Sequence, residues 1–325
     1  MKTASNLLLK SSQRLFTDAK TQAQFVDALI HPKPFHPCIL WCHPKPENLP
    51  FETELPLSWQ PDFIDRLAIA TKPGQHPLHQ AGYYYCLDFS SVFAASSLLA
   101  IAKPVQVIVD VCASPGGKSL FAWRALQPQL LMSNEVIGKR IGALLSNLKR
   151  CRSADQATSQ ATHQVITSLD SKILAQEIPQ TADLVIVDAP CTGQSLLAKN
   201  EKNPGCFHPV TIKKNANRQK RILANSAQLV GSQGYLAYMT CAYSPEENEQ
   251  VSEWFLKHFS HFSPVSIPHL DPHQSHLTKL PCYRMFPQER LGAGAFTILF
   301  QNTRLQEQTP FSNQFLHRAG LITLE

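Results

Sequence analysis

Five short apolar runs, at residues 105–109, 130–133, 165–167, 184–187 and 235–240, follow one another at intervals that leave room for a helix in each gap. A strand buried on both faces reads as a continuous apolar run. Strands alternating with helices form parallel βαβ units, because a parallel neighbour is reached only by a crossover. The pattern predicts an open α/β sheet, doubly wound and mostly parallel. A sixth run at 295–300 follows Gly292 and Gly294 and predicts a late antiparallel edge strand. Ligands of such sheets sit beyond the carboxyl ends of the strands, so the residues directly after each run are the functional candidates.

The first hundred residues differ in texture. Prolines crowd between His31 and Pro77, while Leu15, Phe16, Ala19, Ala23, Phe25, Val26, Leu29 and Ile30 form an apolar stripe that predicts a helix facing a core. Residues 38–42 predict a short strand, and residues 90–102 a helix leading into the sheet. Two Cys and two His (His36, Cys38, Cys42, His43) fall close together there, but no second spaced pair follows and the segment reads as buried strand. The irregularly spaced His258, His261, His269, His273 and His276 read as an exposed loop. The longest uncharged apolar run, 92–102, is about half of the roughly 20 residues that cross a bilayer. Lys2 and Lys10 bracket only Leu7, Leu8 and Leu9, short of a secretory core. A cytoplasmic protein without a membrane partner is expected, its nine cysteines present as thiols.

The formal charge of +6 is unevenly spread. Lys139, Arg140, Lys149, Arg150 and Arg152 form one stretch without an acid, and Lys213, Lys214, Arg218, Lys220 and Arg221 form another. Such clusters suit a polyanion, whose counterions are released on neutralisation, and equally suit solvated helix faces.

Beyond the first run stands Asp110, followed by Cys112, Ala113, Ser114, Pro115, Gly116, Gly117 and Lys118 at a helix start. Glycines at a helix N-terminus let backbone amides approach a ligand. A Walker A loop is excluded because Cys112 stands where its first Gly belongs, and a dinucleotide fingerprint because the glycines are adjacent. Glu135 ends the second run near the spacing at which an acid meets a ribose diol, and Asp170 ends the third, placed to accept from a purine amino group. With Asp110 these acids predict an adenosine site. The fourth and fifth runs end in Asp188 with Cys191 and in Thr240 with Cys241; neighbouring strands would set both thiols on one rim. A thiolate activated by nearby cations or by a helix starting near Pro245 is a strong nucleophile, and Asp188 is the complementary acid for a ring nitrogen.

At these residues the chain resembles the RsmB/Sun-type (NOP/Sun) S-adenosylmethionine-dependent RNA cytosine-C5 methyltransferases. Asp110 to Lys118 is similar to the family's D-x-C-A-A-P-G-G-K, Asp188 to Gly193 to its D-A-P-C-S-G, and Thr240 to Glu249 to its T-C-S with a following E-N-E. Upstream, His76 to Ser91 is similar to the family's entry motif, with Leu87 in place of Gln and Phe89 in place of Pro. Ser114 replaces Ala, and Ala242 replaces the Ser after the nucleophile, which removes a hydroxyl.

The resemblance implies a class I, Rossmann-like methyltransferase domain at 104–302, a small N-terminal α+β RNA-binding or accessory domain at 1–103 and a tail at 303–325. It implies attack on cytosine C6 by Cys241, release aided by Cys191, Asp188 on the cytosine edge and Lys118 beside it. It places S-adenosylmethionine against Cys112 to Lys118, with Glu135 on the ribose, Asp170 on the adenine and Asp188 nearby. The implied partner is RNA, ribosomal before transfer RNA; a monomer without a metal is expected. A catalytically silent RNA-binding or ribosome-assembly factor is the alternative, against which both thiols, Asp188 and Lys118 argue. DNA cytosine methyltransferases attack with the Pro-Cys thiol, so the Thr-Cys thiol points to the RNA branch.

Overall fold

The computed structural model describes residues 3–152, 162–305, 309–311, 313–316 and 321–324. Two helices come first, α1 (Asn6–Leu15) and α2 (Ala19–Ile30). Each is started by a side chain that takes an orphan first-turn amide: Ser5 accepts from Leu8 and Asp18 from Thr21. A small antiparallel sheet follows, built from β1 (Cys38–Trp41), β2 (Ile64–Arg66) and, after the short α3 (Pro77–Gln80), β3 (Tyr84–Leu87), in the order β2-β1-β3. α4 (Phe89–Ser96) then runs into a 3-10 turn at Ser97–Ala100, so the helix expected over 90–102 is α-helical only in its first half.

The alternation read from the sequence then appears. β4 (Val107–Asp110), α5 (Gly117–Leu126), β5 (Leu130–Asn134), α6 (Gly138–Arg152), β6 (His163–Thr167), α7 (Ser171–Glu177), β7 (Ala182–Asp188), α8 (Pro209–Ala227) and β8 (Val230–Thr240) are followed by α9 (Glu249–His258) and β9 (Phe262–Val265). β10 (Tyr283–Met285), β11 (Ala295–Asn302), α10 (Asn313–Leu316) and β12 (Ile322–Leu324) end the described chain. The main sheet has the order β10-β11-β8-β7-β4-β5-β6-β12, with β9 also on β11. β8, β7, β4, β5 and β6 are parallel, and β11, the expected late strand, is antiparallel to β8. Strand order reverses beside β4, and a crevice opens at such a switch point. This is the Rossmann-like class I methyltransferase architecture.

Within the segment expected as a tail, Ile322–Leu324 form β12, an antiparallel edge strand on β6. The stripe of α1 and α2 packs onto the rim of the main sheet, with Phe25 edge-on to Tyr243 at 5.0 Å and Phe16 to Phe286 at 4.8 Å. β1 to β3 instead share a core with α4, α5 and α6, where the Phe63 and Phe121 rings meet at 5.3 Å. Arg150, read as part of a basic face, donates to the carbonyls of His79 and Tyr84 and pins α6 to β3. Gly82 is required at that seam: its φ is +83°, and a Cβ there would stand 1.7 Å from the Arg150 carbonyl oxygen. The His-rich stretch is likewise no free loop, since His269 Nε2 donates to the Ser96 carbonyl and His276 Nε2 to that of Leu15.

One buried ion pair braces the site described next. Arg284 on β10 meets Glu249, the first residue of α9, through two nitrogens, and both side chains are 3% exposed. Arg284 also donates to the Tyr243 carbonyl. Removing one partner strands a charge out of water, so Arg284→Ala is expected to cost about 3–5 kcal/mol. Denaturant unfolding reads this as a lowered midpoint, and the double change Arg284→Met with Glu249→Leu should recover most of it. An unshifted midpoint for Arg284→Ala would contradict the assignment.

Candidate active site

β7 and β8 run parallel and in register, Val187 beside Tyr238 and Asp188 beside Met239. Parallel neighbours are about 4.8 Å apart, so the first turns beyond them share one rim. Cys191 and Cys241 follow those strands, and their sulfurs lie 3.2 Å apart. Lys118, near the start of α5, reaches the same place and donates to Asp188 Oδ2 at 2.9 Å. Burial opposes the Lys118 charge, but the Asp188 carboxylate against it outweighs that and holds its pKa above the ordinary lysine value.

The thiols differ although they touch. A hydrogen bond from Cys191 lowers the Cys241 pKa despite burial, and Ser195 and the Lys118 charge act in the same direction. The same bond and burial push Cys191 well above the thiol range, helped by the Glu247 carboxylate behind it. The pair thus favours a Cys241 thiolate accepting from a Cys191 thiol. A helix N-terminus was expected to activate Cys241, but only a 3-10 turn, Pro245–Glu247, starts near Pro245; α9 begins at Glu249, so the neighbouring thiol takes that part.

Glu247, Asn248 and Glu249, matched in sequence without a role, each tie a different piece of this rim. Glu247 accepts from both the amide and hydroxyl of Thr192 and from Gln219, fixing the turn after Cys191. Asn248 accepts from Thr240 and donates to the Ala242 carbonyl, on either side of Cys241. Glu249 holds Arg284. Three consecutive polar residues with no cation in helical reach, ahead of an amphipathic helix, were the available sign that their partners are distant in sequence.

The thiols open into a cavity of about 560 Å³ lined by Cys112, Ser114, Glu135, Asp170, Asp188, Cys191 and Cys241 among the predicted residues. Glu135 is 3% exposed; Oε1 accepts from the Ile137 amide, and Oε2 lies 3.3 Å from Arg140 without a hydrogen bond among the described residues. Asp170 caps α7 through the Lys172 amide. Val136, Ile137 and Leu169 supply apolar wall.

Among the other predicted residues, Ala113, Pro115, Gly116 and Gly117 are not in the lining, and Lys118 reaches the site through its bond to Asp188; a Cβ on Gly116 would meet Leu144 at 3.4 Å and one on Gly117 the Tyr85 ring at 3.1 Å. Asp110, grouped with the acids of an adenosine site, is fully buried behind the loop. It accepts from Ser119 and the Cys112 amide, and burial pushes its pKa to about 7. Arg140, Arg218 and Arg221, read as parts of outer basic faces, line the cavity.

The chain matches the family described as 16S rRNA methyltransferase RsmB/F over residues 98–301. It is 26% identical over 262 residues to ribosomal RNA small subunit methyltransferase F of Cronobacter sakazakii, covering 78% of this chain and 53% of that one. The chain spans about half the length, or less, of the first curated relatives it matches. A methyltransferase homolog protein from Pyrococcus horikoshii has a similar fold, with a TM-score of 0.69 at 19% identity over 92% of this chain and 100% of that one. NSun6 from Pyrococcus horikoshii with SFG gives 0.68 at 16% identity over 93% and 99%.

Proposed function

This chain belongs to the 16S rRNA methyltransferase RsmB/F family, and from that premise we propose that it methylates C5 of a cytosine in small-subunit ribosomal RNA, with S-adenosylmethionine as donor. The observation that carries the reading is the thiol pair, its sulfurs 3.2 Å apart, beside the Lys118–Asp188 pair.

The residues present fit the donor. The Glu135 oxygen that accepts no hydrogen bond among the described residues suits a ribose diol, and Asp170 with Val136, Ile137 and Leu169 suits an adenine edge and face. When bound, S-adenosylmethionine supplies an electrophilic methyl group. Cytosine C5 is a poor nucleophile until its ring is opened to electron flow, and that is the task of the protein's side chains. The Cys241 thiolate adds to C6 as N3 takes up a proton from the Asp188 carboxyl, which also accepts from the amino group, while Lys118 holds Asp188 in place. After C5 is alkylated, its proton passes to a base, for which Cys191 in its thiolate form is the group at hand; the C5=C6 double bond reforms and the Cys241 thiolate leaves. Ala242 lacks the usual hydroxyl, and the neighbouring contacts run instead through Asn248 and backbone. A base stacked in a helix cannot enter such a cavity, so the target must be unpaired or flipped out.

The test is transfer of isotope-labelled methyl groups to 16S rRNA followed by nucleoside analysis. Label in 5-methylcytidine is the expected result. Label in another nucleoside would discard the proposed target atom, and absence of transfer with intact donor binding would favour the silent RNA-binding factor.

A further inference from the structure

A second cavity, of about 500 Å³, lies between α1 and α8 and is separate from the thiol site. That volume is within the range of ligand sites, about 300–1,000 Å³. Its floor is apolar, with Leu7, Phe207 and Ile212, and its rim is cationic, with Lys10, Lys213 and Lys220. The one acid in the lining, Glu246, is already held by Arg14 at 2.6 Å. Lys220 leans on the Trp254 ring, its nitrogen 5.5 Å from the centroid, while Lys10 and Lys213 are exposed and have no ion-pair partner among the described residues.

The placement of α8 connects this groove to the thiol site. Ile212, Lys213, Ala216, Asn217 and Lys220 face the groove; Arg218, Arg221 and Ile222 face the first cavity. At 3.6 residues per turn the two sets lie roughly 160° apart around the helix, so α8 is a ridge with a cavity on each flank. Nineteen residues of α8 carry five cations and no acid; Lys214, in neither lining, is exposed, as is Arg221 at the edge of the first cavity. Ser244 and Pro245 in the groove wall follow the nucleophile candidate Cys241 by three and four residues. An apolar floor under a cationic rim recognises a nucleotide, the base by its face and the phosphodiester by its charge.

We propose that a single strand of RNA crosses α8 from the thiol site, with phosphates on the ridge and a nucleotide flanking the target cytosine seated in the groove between α1 and α8. This rests on the proposed function and adds a second, independently testable subsite, to which the N-terminal helix contributes one wall. It also gives Lys10 and Leu7, remote from the methyl donor, a part in choosing the substrate.

The test uses the full chain and deproteinised 16S rRNA. Binding is titrated at several salt concentrations for the unaltered protein, for Lys10→Glu with Lys213→Glu, and for Lys20→Glu, an equal change in kind on exposed α2. The double variant is expected to bind at least tenfold more weakly, and its log–log salt slope should fall by about 1.4 for two lost phosphate contacts on a single strand. Lys20→Glu should titrate like the unaltered protein, and donor binding should be equal in all three. Photo-crosslinking of thiouridine-substituted RNA should map to residues 206–213. Methyl transfer by the unaltered protein together with an unchanged titration of the double variant would overturn the groove and leave the function standing. An unaltered protein that neither binds nor methylates RNA would remove both.

Discussion

Cys241→Ala is expected to abolish methyl transfer, by at least about 10³-fold in kcat, while thermal unfolding stays close to that of the unaltered protein. The magnitude follows from covalent catalysis: without sulfur at C6, cytosine C5 is not activated, and positioning alone leaves a small residue of rate. The thiol makes no packing contribution comparable with a buried aliphatic side chain, so the fold should not register the change. The pH dependence carries a sign. The attacking form is the thiolate, and the Cys191 hydrogen bond lowers the Cys241 pKa. Activity is therefore lost as pH falls through that lowered value, and the acid limb of the rate profile should lie below the range of an ordinary thiol. Steady-state rates across pH, with unfolding measured in parallel, check both statements.

The Cys191→Ala protein is expected to behave in the opposite manner, trapping its product. Attack by Cys241 needs no chemistry from Cys191, whereas release does, so the expected outcome is slow turnover with a protein–RNA species that survives a denaturing gel. The same substitution removes the donor that lowers the Cys241 pKa, so adduct formation should also need a higher pH than methylation by the unaltered protein. Joining Cys241→Ala to it should abolish the retarded band. A band that persists in the double variant would reverse the thiol roles.

The parallel sheet was legible in the sequence because its strands are buried on both faces and so write themselves as uninterrupted apolar runs. The meeting of Cys191 with Cys241 was legible for the same reason, since β7 and β8 are neighbours and register carries the residues after them to one rim. What escaped was long-range and polar. Asp110 looks like Glu135 and Asp170 at the end of a run, but Ser119 and the Cys112 amide turn its carboxylate inward, which no local pattern encodes. Arg150 looks like its basic neighbours on α6 and is a brace for β3. Leu15, Phe16, Phe25, Val26 and Leu29 of the stripe on α1 and α2 are buried as read while Ala19 and Ala23 are exposed, and the partners of Phe16 and Phe25, Phe286 and Tyr243, lie more than two hundred residues onward.

The most direct test of the central claim, that Cys241 bonds to cytosine in RNA, is mass spectrometry of the Cys191→Ala protein after incubation with 16S rRNA and S-adenosylmethionine and digestion of both polymers. The expected result is a peptide spanning Cys241 that carries the mass of a methylated cytidine nucleotide through sulfur. Nucleotide attached at another residue, or no attached nucleotide from a preparation whose unaltered counterpart makes 5-methylcytidine, would contradict it.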